Sequence, residues 1–236
     1  MLTLTQVLNK SAARLSGLHP AVLAAATALI ERSYACGVPI LITQGLRTIA
    51  EQDALYAQGR TKAGAVVTNA RGGYSYHNYG LAVDFALLLP NGSSVSWDMN
   101  RDGDHDGTAD WLEVVQQAKA IGFEWGGDWT SFKDYPHFQM SFGLRLADLR
   151  TGKKPAAAAV EAVYERMNQK EVQAVKGQMN VAVKVNGKKI TEGCLANGVT
   201  HVPVRSVAEA LGARVVYNFA TQTVEITTAD QKGGSV

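Results

Sequence analysis

SYHNYGLAVDFALLL, residues 75–89, begins as a polar, aromatic turn and ends as a continuous apolar run. Its first part carries His77 and Asp84 with six residues between them, and Gly80 punctuates the passage from turn to strand. The apolar part and SSVSW (93–97) flank Pro90-Asn91-Gly92, which predicts a β-hairpin with a short turn.

Upstream, Pro20 suits the first position of a helix that runs through AVLAAATALIERSYAC and stops at Gly37. PILITQ (39–44) then reads as a buried strand. Thr48 and Glu51 have the spacing of a capping box, so a helix starts there, ends at Gly59, and leaves Arg47 at a strand end. Residues 60–74 are Gly-rich, polar and aperiodic, the pattern of a surface loop. Downstream, WLEVVQQAKAI (111–121) predicts a helix ended by Gly122, and FEWGGDWTSFKDYPHFQM (123–140) leads into another strand.

The 236 residues suffice for one sizeable core and a second small domain, and 46% apolar with 19% charged residues describe an ordinary globular chain. A net charge of +2 gives no argument for nucleic acid or for membrane binding, and no apolar run approaches the roughly 18 residues of a membrane span. Residues 1–150 carry net −2 and residues 151–236 net +4, the modest excess of a solvated face. Cys36 and Cys194 lie outside any paired-cysteine metal spacing and read as buried thiols. The amino terminus has polar and charged residues where a secretory signal needs an apolar core; synthesis in the cytoplasm without that export route is expected. Oligomeric state is not written in the sequence; a monomer is the simplest expectation.

A zinc hydrolase needs three protein ligands from His and carboxylate, with a fourth position for the water to be activated. His77, Asp84 and His137 supply that set, each at the edge of a predicted strand beside Gly or Pro. Long gaps make the spacing weak by itself, and a lone strand His is commonly a core residue.

SYHNYGLAVD together with WGGDWTSFKDYPHF (125–138) closely resembles the M15 group of zinc peptidases, and GLRTIAEQDALYAQGR (45–60) resembles its phage-endolysin branch of L-alanyl-D-glutamate endopeptidases. The resemblance spans roughly residues 15–145. It implies an α+β fold of M15 and hedgehog type, a small antiparallel sheet with flanking helices; a small carboxy-terminal α+β domain is expected in addition. It implies His77, Asp84 and His137 as zinc ligands, Asp134 as the catalytic acid/base, and Arg47 as the group that holds the carbonyl oxygen. Ser75 and Gln52 align with substrate-contacting positions. Trp129, beside Gly126-Gly127, either lines a substrate groove or packs in the core.

DGDHDGTADWLE (102–113) meets the calcium-loop template at Asp102, Asp104, Asp106, Gly107 and Glu113, with Asp110 at the ninth place. The alternative is structural: Asp110 caps the next helix, Glu113 completes a capping box, and the other acids are solvated.

After Arg150 the composition shifts, which divides the chain into a catalytic domain (1–150), an Ala-rich helical linker (151–177) and a small domain (178–236). Asn186-Gly187 within VAVKVNGKKI is a strong hairpin signal. VKVNGKKI and VPVRSVAEALGARVVYNFATQTVEI resemble the stalk-like amino-terminal domain of copper amine oxidases, though without a His/Cys/Met cluster no copper is expected. Wall targeting, a plain spacer or dimerisation are its open roles.

Together these readings lead to a peptidoglycan endopeptidase that cuts between L-alanine and D-glutamate. A D,D-carboxypeptidase on the same centre and a non-catalytic wall-binding protein are the competing readings. The amino terminus favours the phage-lysin type, which acts on the wall and causes cytolysis after release.

Overall fold

The computed structural model describes residues 2–169, 179–196, 199–202, 204–218 and 223–228. Chain contacts divide it into two compact units, Met1–Lys170 and Glu171–Val236.

In the first unit, α1 (Leu4–Leu15) and α2 (Pro20–Ala35) precede strand β1 (Ile40–Gln44), and α3 (Ile49–Ala57) follows it. Strand β2 (Ala82–Leu88) turns back as β3 (Val95–Ser96); α4 (Asp110–Ile121), β4 (Glu124–Trp125), β5 (His137–Gln139), α5 (Leu146–Arg150) and α6 (Ala157–Gln169) complete the unit. The sheet runs β1-β2-β5-β4 with β3 also against β2, and each pairing is antiparallel. This is the expected α+β arrangement.

Local chemistry explains most element boundaries. His19 caps α2 by accepting the Ala21 N–H at Nδ1 over 3.3 Å, with Pro20 in the first turn, and Gly37 leaves the helix at φ +86°. Thr48 and Glu51 form both halves of the capping box that starts α3. The Leu89–Ser94 turn is closed by Leu89 N–H to Ser94 O at 2.9 Å, and the Asn91 side chain accepts from Ser93 and Ser94 N–H.

Helix α1 was not anticipated. Its signals are a Thr3/Gln6 capping box and buried Val7, Ser11 and Leu15 at four-residue intervals. It packs on β1, where Ser11 Oγ accepts the Ile42 N–H at 3.0 Å.

Alternation along β2 and β5 creates two different faces. Val83, Phe85 and Phe138 lie on the core side, where the Phe85 and Phe138 rings stack at 4.9 Å and Trp111 of α4 sits 4.4 Å from Phe85. Asp84 and His137 lie opposite each other on the other face. Helix α2 buries Ala21, Val22, Ala25, Ala26, Leu29 and Ile30 completely; burying a Leu or Ile side chain stabilises by about 1.5–3 kcal/mol.

The stretch expected to be a linker is, over Ala157–Gln169, a helix packed on the first unit. Val163 is buried there among the core residues, and Arg32 Nη2 donates to Met167 O at 2.9 Å. Its apolar spacing, Val160, Val163, Tyr164 and Met167, explains the docking.

The second unit contains β6 (Met179–Val185), β7 (Lys188–Ala196), β8 (Val199–His201), α7 (Val204–Ala210), β9 (Ala213–Asn218) and β10 (Thr223–Thr228). The β6–β7 hairpin turns at Asn186 (φ +50°) and Gly187 (φ +79°), the positive-φ pair that Asn-Gly favours. Ala208, Ala213 and Val215 form its small buried core. The Cys194 side chain lies outside the described residues. No helix among the described residues is long and apolar enough to cross a membrane.

Candidate metal centre

His77 sits in the short 3-10 turn Tyr76–Tyr79, which Ser75 enters and Gly80 leaves at φ +66°. The turn projects the imidazole toward the β2–β5 pair. His77 Nε2, Asp84 Oδ1 and His137 Nδ1 converge: the nitrogens are 3.1 Å apart, and each is 3.2 Å from the carboxylate oxygen. A tetrahedral centre with bonds of about 2.0 Å sets its ligand atoms about 3.3 Å apart, so this triangle has the size of one face of such a centre.

The outer partners fix which ring atoms face inward. His77 Nδ1 lies 2.8 Å from Gly45 O, which can only accept, so Nδ1 carries the proton and Nε2 presents a lone pair. Gln139 stands in the same relation to His137 Nε2, at 3.0 Å. Three acceptor atoms therefore converge, and only positive charge among them, as protons or as a metal cation, stabilises the arrangement. Burial alone would raise the Asp84 pKa, but when protons occupy the inward-facing ring nitrogens the His77 charge and the histidine hydrogen bonds outweigh it and hold the carboxyl well below its usual range. Burial would lower His137; the hydrogen bond and charge of Asp84 overcome it and move that ring upward. The donor set, two imidazoles and one carboxylate, suits zinc.

Arg47 follows β1, and its side chain is mostly buried. Nη1 donates to Gln52 Oε1 at 2.8 Å, Nη2 lies 3.5 Å from Asp84 Oδ2, and buried Nε makes no hydrogen bond within the protein. Asn78, which the sequence reading passed over, holds this segment by donating to Arg47 O at 2.9 Å.

Asp134 lies in the loop before β5, half-buried. Its main chain is clamped by Asp134 N–H to Gly126 O and His137 N–H to Asp134 O, each 3.2 Å. Burial and the Asp84 charge raise its pKa, opposed by His137, His77 and Arg47, so it shares the field of the triangle. Gly126 is required here, since a Cβ would lie 2.3 Å from Asp134 O.

Gln52 departs from its expected substrate role. It is completely buried, and its amide is occupied by Arg47, by Ala70 O at 2.8 Å and by Thr68 Oγ1 at 3.4 Å, because the α3 side chain points under the loop that covers it. It positions Arg47. Half-buried Ser75 offers its Oγ to the His77 N–H at 3.4 Å, and the Trp129 ring is centred 5.2 Å from His137.

The acidic loop brings carboxylate oxygens of Asp102, Asp104 and Asp110, and of Asp104, Asp106 and Glu113, into two groups each within 4.8 Å. Several are engaged locally: Asp102 by Gly107 N–H, Asp106 by Thr108 N–H, and Asp110 by Gly103 N–H and Arg101. Asp110 does not cap α4 as the structural alternative expected. It is the first helical residue, buried, and directed back into the loop, with Ala109 at the cap position.

Residues 68–140 match the family described as D-alanyl-D-alanine carboxypeptidase, a subgroup of the M15 peptidases, and residues 184–233 match the copper amine oxidase N-terminal domain. The chain is 58% identical over 125 residues to the peptidoglycan L-alanyl-D-glutamate endopeptidase CwlK of Bacillus subtilis, covering 53% of this chain and 74% of that protein. It is 34% identical over 134 residues to the L-alanyl-D-glutamate peptidase of Listeria phage A118, covering 57% of this chain and 42% of the phage protein, so it spans under half of that relative. A solved Serratia marcescens L-Ala D-Glu endopeptidase, ChiX, aligns with 27% identity and a TM-score of 0.41 over 56% of this chain and 87% of the other.

Proposed function

Because the chain belongs to the M15 peptidase family, we propose that it is a zinc-dependent endopeptidase hydrolysing the L-alanine–D-glutamate bond in the stem peptides of bacterial peptidoglycan. The observation that carries this reading is the convergence of His77 Nε2, Asp84 Oδ1 and His137 Nδ1 at 3.1–3.2 Å, with both rings oriented from behind.

In this reading those three atoms hold the zinc, which when bound supplies Lewis acidity toward the scissile carbonyl and an acidified water. Asp134 accepts the proton from the attacking water and returns it to the leaving amine; its raised pKa suits both halves of the transfer. Arg47, directed by Gln52, faces the charge that develops on the carbonyl oxygen. Trp129 and Ser75 contribute to the substrate-facing wall.

The peptidase is assigned to residues 1–150, with α6 docked on it, and retention on the wall to residues 178–236. The enzyme acts on the wall after release from the cytoplasm. Calcium in the 102–113 loop is supported by the twelve-residue template and by the two carboxylate groups; calorimetry without a calcium-dependent heat would remove it.

Metal analysis of the purified protein, paired with mass spectrometry of digested muropeptides, tests the main reading. Zinc at one equivalent with fragments that begin at D-glutamate is expected. Release of terminal D-alanine alone would overturn the assigned bond.

A further inference from the structure

A polar chain leads away from the metal triangle along the strand pairing. Asp84 is the direct cross-strand partner of His137 between β2 and β5, and Gln139 is the direct partner of Glu124 between β5 and β4. His137 and Gln139 are two apart on one strand and share a face. Four side chains from three strands thus form a row: Asp84, His137, Gln139, Glu124.

The row has one self-consistent set of hydrogen bonds. Glu124 as a carboxylate only accepts, so the atom of Gln139 facing Glu124 Oε2 at 2.9 Å is its amide nitrogen. Gln139 Oε1 is thereby turned to His137 Nε2, 3.0 Å away, and must accept a hydrogen bond from it. His137 then carries its proton on Nε2 and presents Nδ1 to the triangle. Glu124 is itself held at Oε1 by the Ser141 hydroxyl and by the Ser141 N–H at 3.3 Å. Gln139 is 7% exposed, so water does not substitute for these partners cheaply.

We propose that Gln139 and Glu124 are positioning residues that set the tautomer and ring orientation of His137, and that Glu124 does so through the direction it imposes on the Gln139 amide. The proposal rests on the reading of His137 as a zinc ligand. Their effect reaches the reaction through metal affinity, and outer partners of this kind typically change affinity or activity by about 10–100-fold.

The test uses the full chain in three forms: Gln139→Met, which keeps length and loses the acceptor; Glu124→Gln, which lets the neighbouring amide rotate; and the swap Gln139→Glu with Glu124→Gln. In the swap the carboxylate introduced on β5 accepts from His137 Nε2, and the amide introduced on β4 donates to that carboxylate, so polarity along the row is restored. Zinc affinity by chelator competition and the His137 tautomer by nitrogen NMR shifts are read on protein whose circular dichroism matches the parent. Each single change is expected to weaken zinc by about 10–100-fold and to mix the two tautomers. The swap is expected to recover most of both. Folded single variants with unchanged zinc affinity and tautomer would overturn the proposal, as would a swap no better than Glu124→Gln. If the parent protein binds no zinc, the metal reading fails first; if it binds zinc and cuts another bond, only the substrate assignment fails.

Discussion

Asp84 and His137 face each other as paired residues of two antiparallel strands, with Asp84 Oδ1 3.2 Å from His137 Nδ1. That pairing makes two of the three corners of the candidate metal triangle a property of strand register. A slip of one residue in either strand would turn that strand's side chain into the aromatic core and separate the pair.

Asp84→Asn keeps the size of the side chain and removes its charge. Zinc affinity should fall by more than the roughly 10–100-fold seen for outer-shell changes, because a direct ligand is weakened. Chelator competition measures it; stoichiometric zinc retained at parental affinity would exclude Asp84 as a ligand.

Asp134→Ala should leave zinc bound at one equivalent and lower turnover by about 10²–10⁴-fold, the range of general acid–base catalysis. Steady-state cleavage of a defined stem peptide, with metal content measured on the same sample, separates proton transfer from metal loss. Loss of both together would count against the acid/base assignment.

Arg47→Lys keeps the positive charge but not the fork that reaches Gln52 and Asp84 together. A fall in kcat of about 10²–10³-fold is expected if Arg47 stabilises the developing oxyanion. Gln52→Leu should act in the same direction and more weakly. The double change should be no worse than Arg47→Lys alone, since both act through one guanidinium.

Gly45→Ala would place a Cβ 1.8 Å from the Arg14 carbonyl oxygen of α1. Either the helix moves or Gly45 O leaves His77, 2.8 Å away. Destabilisation of about 1–3 kcal/mol by overpacking is expected in chemical denaturation, together with weaker zinc binding.

Asp148 starts α5 by accepting the Arg145 N–H at Oδ2 and pairs with Lys153 at Oδ1, which lowers its pKa to about 2 from an ordinary 3.8. A carboxyl depressed on folding stabilises above its unfolded pKa and loses that contribution as pH falls through the folded one. Melting temperature should therefore drop between about pH 4 and 2 more steeply in the parent than in Asp148→Asn. Equal slopes would show that the pairing does not survive in solution.

The sequence by itself determined what short-range hydrogen bonds and alternation decide. The Thr48/Glu51 capping box, the helix stops at Gly37 and Gly122, and the Asn186-Gly187 turn each depend on neighbours within a few residues, so the residue types were enough. The three converging side chains were also legible, through the motifs around His77, Asp84 and His137. The Thr3/Gln6 cap of α1 and its four-residue spacing of Val7, Ser11 and Leu15 are equally local signals.

Only the tertiary structure decided how those side chains are oriented. Gly45 meets His77 across 32 residues, Gln52 reaches Ala70 across 18, and Glu124 meets Gln139 across 15 through strand pairing. These contacts depend on which strands pair and which face each side chain takes. The same reason separates Gln52, which reads as a plausible substrate contact on its helix, from the buried amide that holds Arg47. Residue type supplied the three converging groups; packing supplied their protons, their direction and their partners.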